Sequence, residues 1–157
     1  MITCTFENGN NASLRHAVID VLILKDDKLL LVKRNKKLLE GDKWALVGGF
    51  VERDETLFDT VNREIREEAG YTVKDITLLG IRHNPDRPHE DRQNISFVFF
   101  CTAVEKKGES DWEVDDQQWF TFEDLPDKSM IAFDHLKNIE LYQQYRKKEV
   151  TIPLLQS

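Results

Sequence analysis

Apolar residues recur along this chain at two periods. Positions 15–34 read RHAVIDVLILKDDKLLLVKR, two β-branched and leucine-rich runs broken by Asp26-Asp27. That pattern predicts two strands joined by a tight turn. After a polar loop, WALVGGF (44–50) reads as a short strand ending in glycines, which let a ligand approach the backbone closely. From residue 56 the period lengthens: Leu57, Val61, Ile65 and Ala69 recur at four-residue spacing. The spacing predicts a helix over 56–69, with Thr56 as N-cap, Asp59 placed for a capping box and Gly70 as the stop. Strands resume at DITLLGIRH, NISFVFFCTAV and QQWFTF, separated by the polar loops NPDRPHEDRQ and EKKGESDWEVDD. A closing helix over 133–146 gathers Leu136, Ile139, Leu141 and Tyr142 as its apolar side, with His135 simply near its start. Strands flanking helices in this order predict an α/β fold with a mixed sheet covered on both faces.

The length of 157 residues suits one domain spanning 1–157, its core over about 15–146, and 40% apolar with 32% charged residues describes a globular chain. A net charge of −7 speaks against a nucleic-acid-binding surface, though a bound cation can reverse the local sign around a phosphorylated ligand. Cys4 and Cys101 stand far apart without a metal-binding pattern, as expected of free thiols in a reducing compartment. The opening MITCTFENGNNAS is too polar for a targeting signal, and runs such as VLIL and FVFF are too short to cross a bilayer. The expectation is a cytoplasmic protein with no membrane partner.

Glu64, Glu67 and Glu68 change the picture of the first helix. At i, i+3 and i+4 they share one face, next to the apolar stripe rather than opposite it. A solvated acidic face has the same pattern. So does a site for Mg²⁺ or Mn²⁺, hard cations that take a few carboxylates plus waters and substrate phosphates.

The surrounding residues separate the two. Gly49, five residues, Glu55, seven residues, then Arg63-Glu64-Ile65-Arg66-Glu67-Glu68-Ala69-Gly70-Tyr71 match the order and spacing of the Nudix box. At average residue usage a chance match per window is on the order of one in a billion. The chain therefore resembles the Nudix hydrolases, and the order of strands and helices extends the resemblance over about 15–146. The resemblance implies an α/β/α sandwich, with Glu64, Glu67 and Glu68 as metal ligands and Gly48 adding backbone groups. It also implies that Arg63 pairs with Glu55 to orient the junction of loop and helix, with Gly49 and Gly70 as structural glycines of the motif.

The activity implied is hydrolysis of a nucleoside diphosphate linked to another group, a small-molecule nucleotide substrate. A carboxylate would accept the proton of the attacking water. Glu68 and Glu67 are candidates, as is Glu113 in the DWEVDD loop, with Glu90 a weaker one. WALVGGFVERDET is similar to a segment of ADP-ribose pyrophosphatases, with Val47 where they more often carry proline. NPDRPHEDRQNISFVFF and the closing IAFDHLKNI are loosely similar to the same group. The expected substrate is ADP-ribose or a similar nucleoside diphosphate sugar. Arg34, Arg82, Arg87 and Arg92 are candidates to grip phosphate or ribose, with Lys33 beside them. Trp44 is a candidate for stacking, though it and Trp119 suit a core role, while Trp112 suits stacking better.

Two other readings share these residues: clearance of oxidised or non-canonical nucleoside triphosphates, and a regulator that senses ADP-ribose. The regulators carry a winged DNA-binding domain downstream, whereas about ten residues come after the closing helix here. The sequence itself is silent on oligomeric state, although many relatives of the ADP-ribose type pair up, which makes a homodimer one arrangement to test.

Overall fold

In the computed structural model, which describes residues 2–86 and 93–156, the chain opens with a small hairpin of β1 (Ile2–Thr5) and β2 (Asn11–Leu14). Its strands are short and largely exposed, so no alternating pattern announces them in the sequence. β3 (Ala17–Lys25) and β4 (Lys28–Arg34) are the predicted antiparallel pair. Asp26 and Asp27 join them at φ 49° and 59°, the two left-handed positions of a type I′ turn that matches strand twist.

The chain continues through β5 (Trp44–Ala45), α1 (Leu57–Glu64), β6 (Tyr71–Arg82), β7 (Ile95–Lys106), β8 (Val114–Thr121), α2 (His135–Arg146) and β9 (Leu154–Gln156). The main sheet runs β5-β4-β3-β7-β6-β9, with β8 also paired to β4. β3 lies parallel to β7 and β6 parallel to β9, while the other pairs are antiparallel, so the sheet is mixed.

Strand alternation divides the core into two layers. Ile19, Val21 and Ile23 of β3 with Leu30 and Val32 of β4 pack beneath α1, against Val61, Ile65 and Ala69. Leu22, Leu29 and Leu31 take the opposite face, against Ile139, Leu141 and Tyr142 of α2. Each fully buried aliphatic side chain contributes about 1.5–3 kcal/mol relative to exposure. The architecture is an α/β/α sandwich.

Several boundaries depart from the sequence reading, and β6 and β8 begin upstream of the runs DITLLGIRH and QQWFTF, at Tyr71 and Val114. The strand over 44–50 shortens to Trp44–Ala45; beyond it only single bridges, Val47 to Val21 and Phe50 to Val18, hold the segment to β3. α2 begins at His135 rather than at residue 133, because Phe133 takes φ 51° and cannot sit in a right-handed helix. β9 lies in a segment without strand periodicity, recruited by the open edge of β6 beside Gly80.

Cys101 is buried on β7, and burial pushes its thiol up to about 12. At pH 8 only on the order of one such thiol in ten thousand is ionised, and the thiolate is the reactive form. Cys4 is half-buried in β1. Alkylation of the native protein is expected to modify Cys4 alone, with Cys101 joining after denaturation; mass spectrometry of the modified peptides checks this.

Candidate active site

Thr56 caps α1 in a reciprocal capping box with Asp59, which fixes where the helix starts. The predicted continuous α-helix over 56–69 changes character after Glu64. Ile65–Ala69 form a wider π-helical turn, closed by Gly70 at φ 73°. Loop contacts support that turn from outside: the Asp111 amide donates to the Glu67 carbonyl at 2.9 Å, and the Lys107 amide to the Gly70 carbonyl at 2.7 Å. Glu64 and Glu68 are buried, with residue exposures of 9% and 6%. The Glu67 side chain stays at the rim, 44% exposed.

These acids face a cavity of about 350 Å³. Gly48 and Gly49 form one wall, Asp111 and Glu113 another, and Arg34 and Arg63 are its guanidinium groups. Arg63 organises the helix side. It donates from Nε to Glu55 Oε1 at 2.7 Å and from Nη2 to Glu55 Oε2 at 3.0 Å, a bidentate pair. Its Nη1 reaches Glu64 Oε1 at 2.7 Å and Glu67 Oε2 at 3.3 Å, and its Nη2 also donates to the Phe50 carbonyl at 3.0 Å. Hydrogen bonding from Arg63 holds the Glu55 carboxyl down at about 2.

The inward acids behave oppositely. Burial pushes the Glu64 carboxyl above its ordinary range despite Arg63. Burial, then the Glu64 charge, pushes Glu68 well above its own, opposed by the Gly48 amide and by Arg34. The Gly48 amide donates to Glu68 Oε2 at 3.2 Å. Gly49 gives Glu64 its room: a Cβ there would lie 2.0 Å from Glu64 Oε1.

Two buried carboxylates repelling each other, with a third at the rim, are costly unless a cation joins them. An all-oxygen donor set suits a hard divalent ion. Among the described residues, no three Asp, Glu, His or Cys side chains stand already gathered for a metal. Their oxygens are turned instead to Arg63 and to the Gly48 amide.

Of the residues singled out from sequence, Gly48, Gly49, Arg63, Glu64, Glu67, Glu68, Glu113 and Arg34 line this cavity. Trp44 does not: it packs edge-on against Phe120, ring centroids 5.1 Å apart, on the α2 side. Trp119 meets Tyr71 in the same way on the α1 side. Arg82 also lies outside, its Nη2 3.1 Å from Asp134 Oδ2 with both side chains largely buried. Trp112 is 65% exposed and outside the lining, and Lys33 sits 3.8 Å from Asp42. Arg87, Glu90 and Arg92 fall outside the described residues.

Sequence reading missed a buried polar cluster around Asp20, itself a residue of the cavity wall. Asp20 Oδ2 accepts from Ser96 Oγ and, at 3.1 Å, from Asn138 Nδ2, while Asp20 Oδ1 lies 3.3 Å from His135 Nε2. His135 Nδ1 accepts the Leu46 amide at 3.0 Å, two residues before Gly48. The available signal was a carboxylate in the middle of the apolar strand VIDVLIL, which is rarely buried without partners.

Residues 14–142 match the family model of the NUDIX domain. The chain is 37% identical over 128 residues to an ADP-ribose pyrophosphatase of Methanocaldococcus jannaschii, covering 82% of this chain and 73% of that protein. It is 30% identical over 139 residues to an 8-oxo-dGDP phosphatase of Homo sapiens, covering 85% of this chain but 40% of that one. Among solved structures, a UDP-X diphosphatase superposes with a TM-score of 0.78 at 24% identity, covering 95% of this chain and 70% of that one.

Proposed function

Because the chain belongs to the Nudix hydrolase family, enzymes of phosphoanhydride cleavage, we propose that it hydrolyses ADP-ribose or a similar nucleoside diphosphate sugar. The observation carrying this reading is the cavity itself, where buried Glu64 and Glu68, rim Glu67 and loop Glu113 face one another with Arg34 in the same wall. Support for the sugar-linked substrate comes from the relative named ADP-ribose pyrophosphatase.

Glu64, Glu67 and Glu68, with the backbone of Gly48, are the residues that would hold Mg²⁺ or Mn²⁺. When bound, such an ion offsets the diphosphate charge and lowers the pKa of a coordinated water. Arg63 keeps the acidic turn and the glycine segment in one frame through Glu55 and the Phe50 carbonyl. Arg34 binds a phosphate oxygen of the substrate from the β4 side of the cavity. Glu113 accepts the proton of the attacking water. Among the described residues its carboxylate has no ion pair, and its own amide is tied to Asp111 Oδ1 at 2.9 Å, which steadies the loop.

A panel of ADP-ribose, UDP-sugars, diadenosine polyphosphates and 8-oxo-dGTP with Mg²⁺ or Mn²⁺, reading phosphate after a phosphatase step, tests the substrate. The expected result is the highest kcat/KM on ADP-ribose or a UDP-sugar. A clear preference for the oxidised triphosphate removes this substrate assignment.

A further inference from the structure

We propose that Phe133 is a positioning residue, a strained aromatic platform that holds Arg34 in the cavity. Phe133 has φ 51°, a left-handed conformation disfavoured for a bulky side chain and kept only where neighbours over-determine it. The neighbours do so here. Ile131 bridges to Trp44, the Ala132 amide donates to the Trp44 carbonyl at 2.8 Å, and the His135 amide donates to the Ala132 carbonyl at 3.2 Å. His135 is itself anchored on the Leu46 amide. The turn between β8 and α2 is thereby forced to deliver the Phe133 ring to the cavity wall.

Arg34 meets it from the other side. β4 shifts register against β8 between Lys33 and Arg34, an irregularity of the kind that re-aims a side chain. The Arg34 guanidinium then lies 5.2 Å from the Phe133 ring centroid, while its Nε donates to the Leu39 carbonyl at 3.0 Å. A ring face on one side and a carbonyl on the other restrict a long side chain that otherwise samples many rotamers.

This inference rests on the reading of Arg34 as a phosphate-binding residue, and a double-mutant cycle separates the two. Parent, Arg34→Gln, Phe133→Leu and the double variant are compared on the substrate with the highest kcat/KM in the panel. Arg34→Gln is expected to raise KM about 10- to 100-fold, as for a lost charged hydrogen bond. Phe133→Leu is expected to raise KM about 3- to 10-fold, the scale of one cation–π contact, with kcat changed less than about twofold. The double variant is expected to match Arg34→Gln alone, because the platform has nothing left to hold. Phe133→Tyr, which keeps the ring, is expected to restore the parent KM.

If the two effects multiply, or Phe133→Leu leaves KM unchanged while Arg34→Gln raises it, the positioning role is wrong and the reading of Arg34 stands. If Arg34→Gln leaves KM unchanged, the phosphate assignment fails and the positioning role falls with it. Should the leucine variant not fold, Phe133→Met carries the same comparison.

Discussion

Glu68→Gln is expected to lower turnover by orders of magnitude while leaving the metal-free protein as stable as the parent, or more stable. The two halves have one cause. Glu68 is 6% exposed, and among the described residues its carboxylate takes only the Gly48 amide, at 3.2 Å, as a hydrogen-bond donor. A buried charge so thinly partnered weakens the fold, and the Gln carbonyl keeps the one bond the carboxylate makes. Function depends on the charge that stability would shed, since a neutral amide is a poor ligand for a divalent ion. Thermal melts in chelator and kcat with saturating Mg²⁺ read the two halves separately. Glu64→Gln and Glu67→Gln complete the set, with no stability change foreseen for exposed Glu67. Turnover that survives all three changes would overturn the metal-site assignment.

The glycine pair divides along a different line. A Cβ at residue 48 would lie 2.2 Å from the Ile19 carbonyl oxygen and 3.2 Å from the Asp20 Cα, backbone atoms that cannot swing aside. The segment cannot retreat either, because the Val21 amide donates to the Val47 carbonyl at 2.8 Å and the Ile19 amide to the Gly49 carbonyl at 2.9 Å. Gly48→Ala is therefore expected to cost about 1–3 kcal/mol, the scale of overpacking in a core. At this chain length that lowers Tm by about 3–10 °C. A Cβ at residue 49 instead meets the Glu64 carboxylate, the movable end of a side chain. Gly49→Ala is expected to lose less than half as much stability yet to reduce turnover at least about 100-fold, since it displaces an acid of the site. Equal stability losses, or a fully active Gly49→Ala, would contradict this division.

β3 and β4, at the centre of the sheet, were legible because they are buried on both faces and carry long β-branched or leucine-rich runs, RHAVIDVLILK and KLLLVKR. The four-residue spacing from Leu57 to Ala69 likewise located the acidic helix, and the box grouped its acids with Gly48 and Gly49. Less was legible where partners far along the chain decide the outcome. β9 forms because β6 has an edge to offer, not because LLQ is a strong strand former. Arg82 looked available in sequence, but Asp134 takes it up in three dimensions, whereas Trp44 packs on Phe120 in the core role its strand position suited. The Asp20 cluster depends on Ser96, His135 and Asn138, distant residues whose meeting no local pattern encodes.

The wide turn at Ile65–Ala69 also sets the phase of its helix. In an α-helix each residue advances by about 100°, so the heading of one position dictates that of all the others. A turn of different width uncouples the residues before it from those within and after it. Val61 can keep its place in the packed layer while Glu68 is aimed independently into the cavity. Loss of one residue from this segment would let an ordinary α-helix close without a backbone defect, and would rotate the acids away from the glycine wall. The length of this element is therefore constrained alongside the identity of its acids.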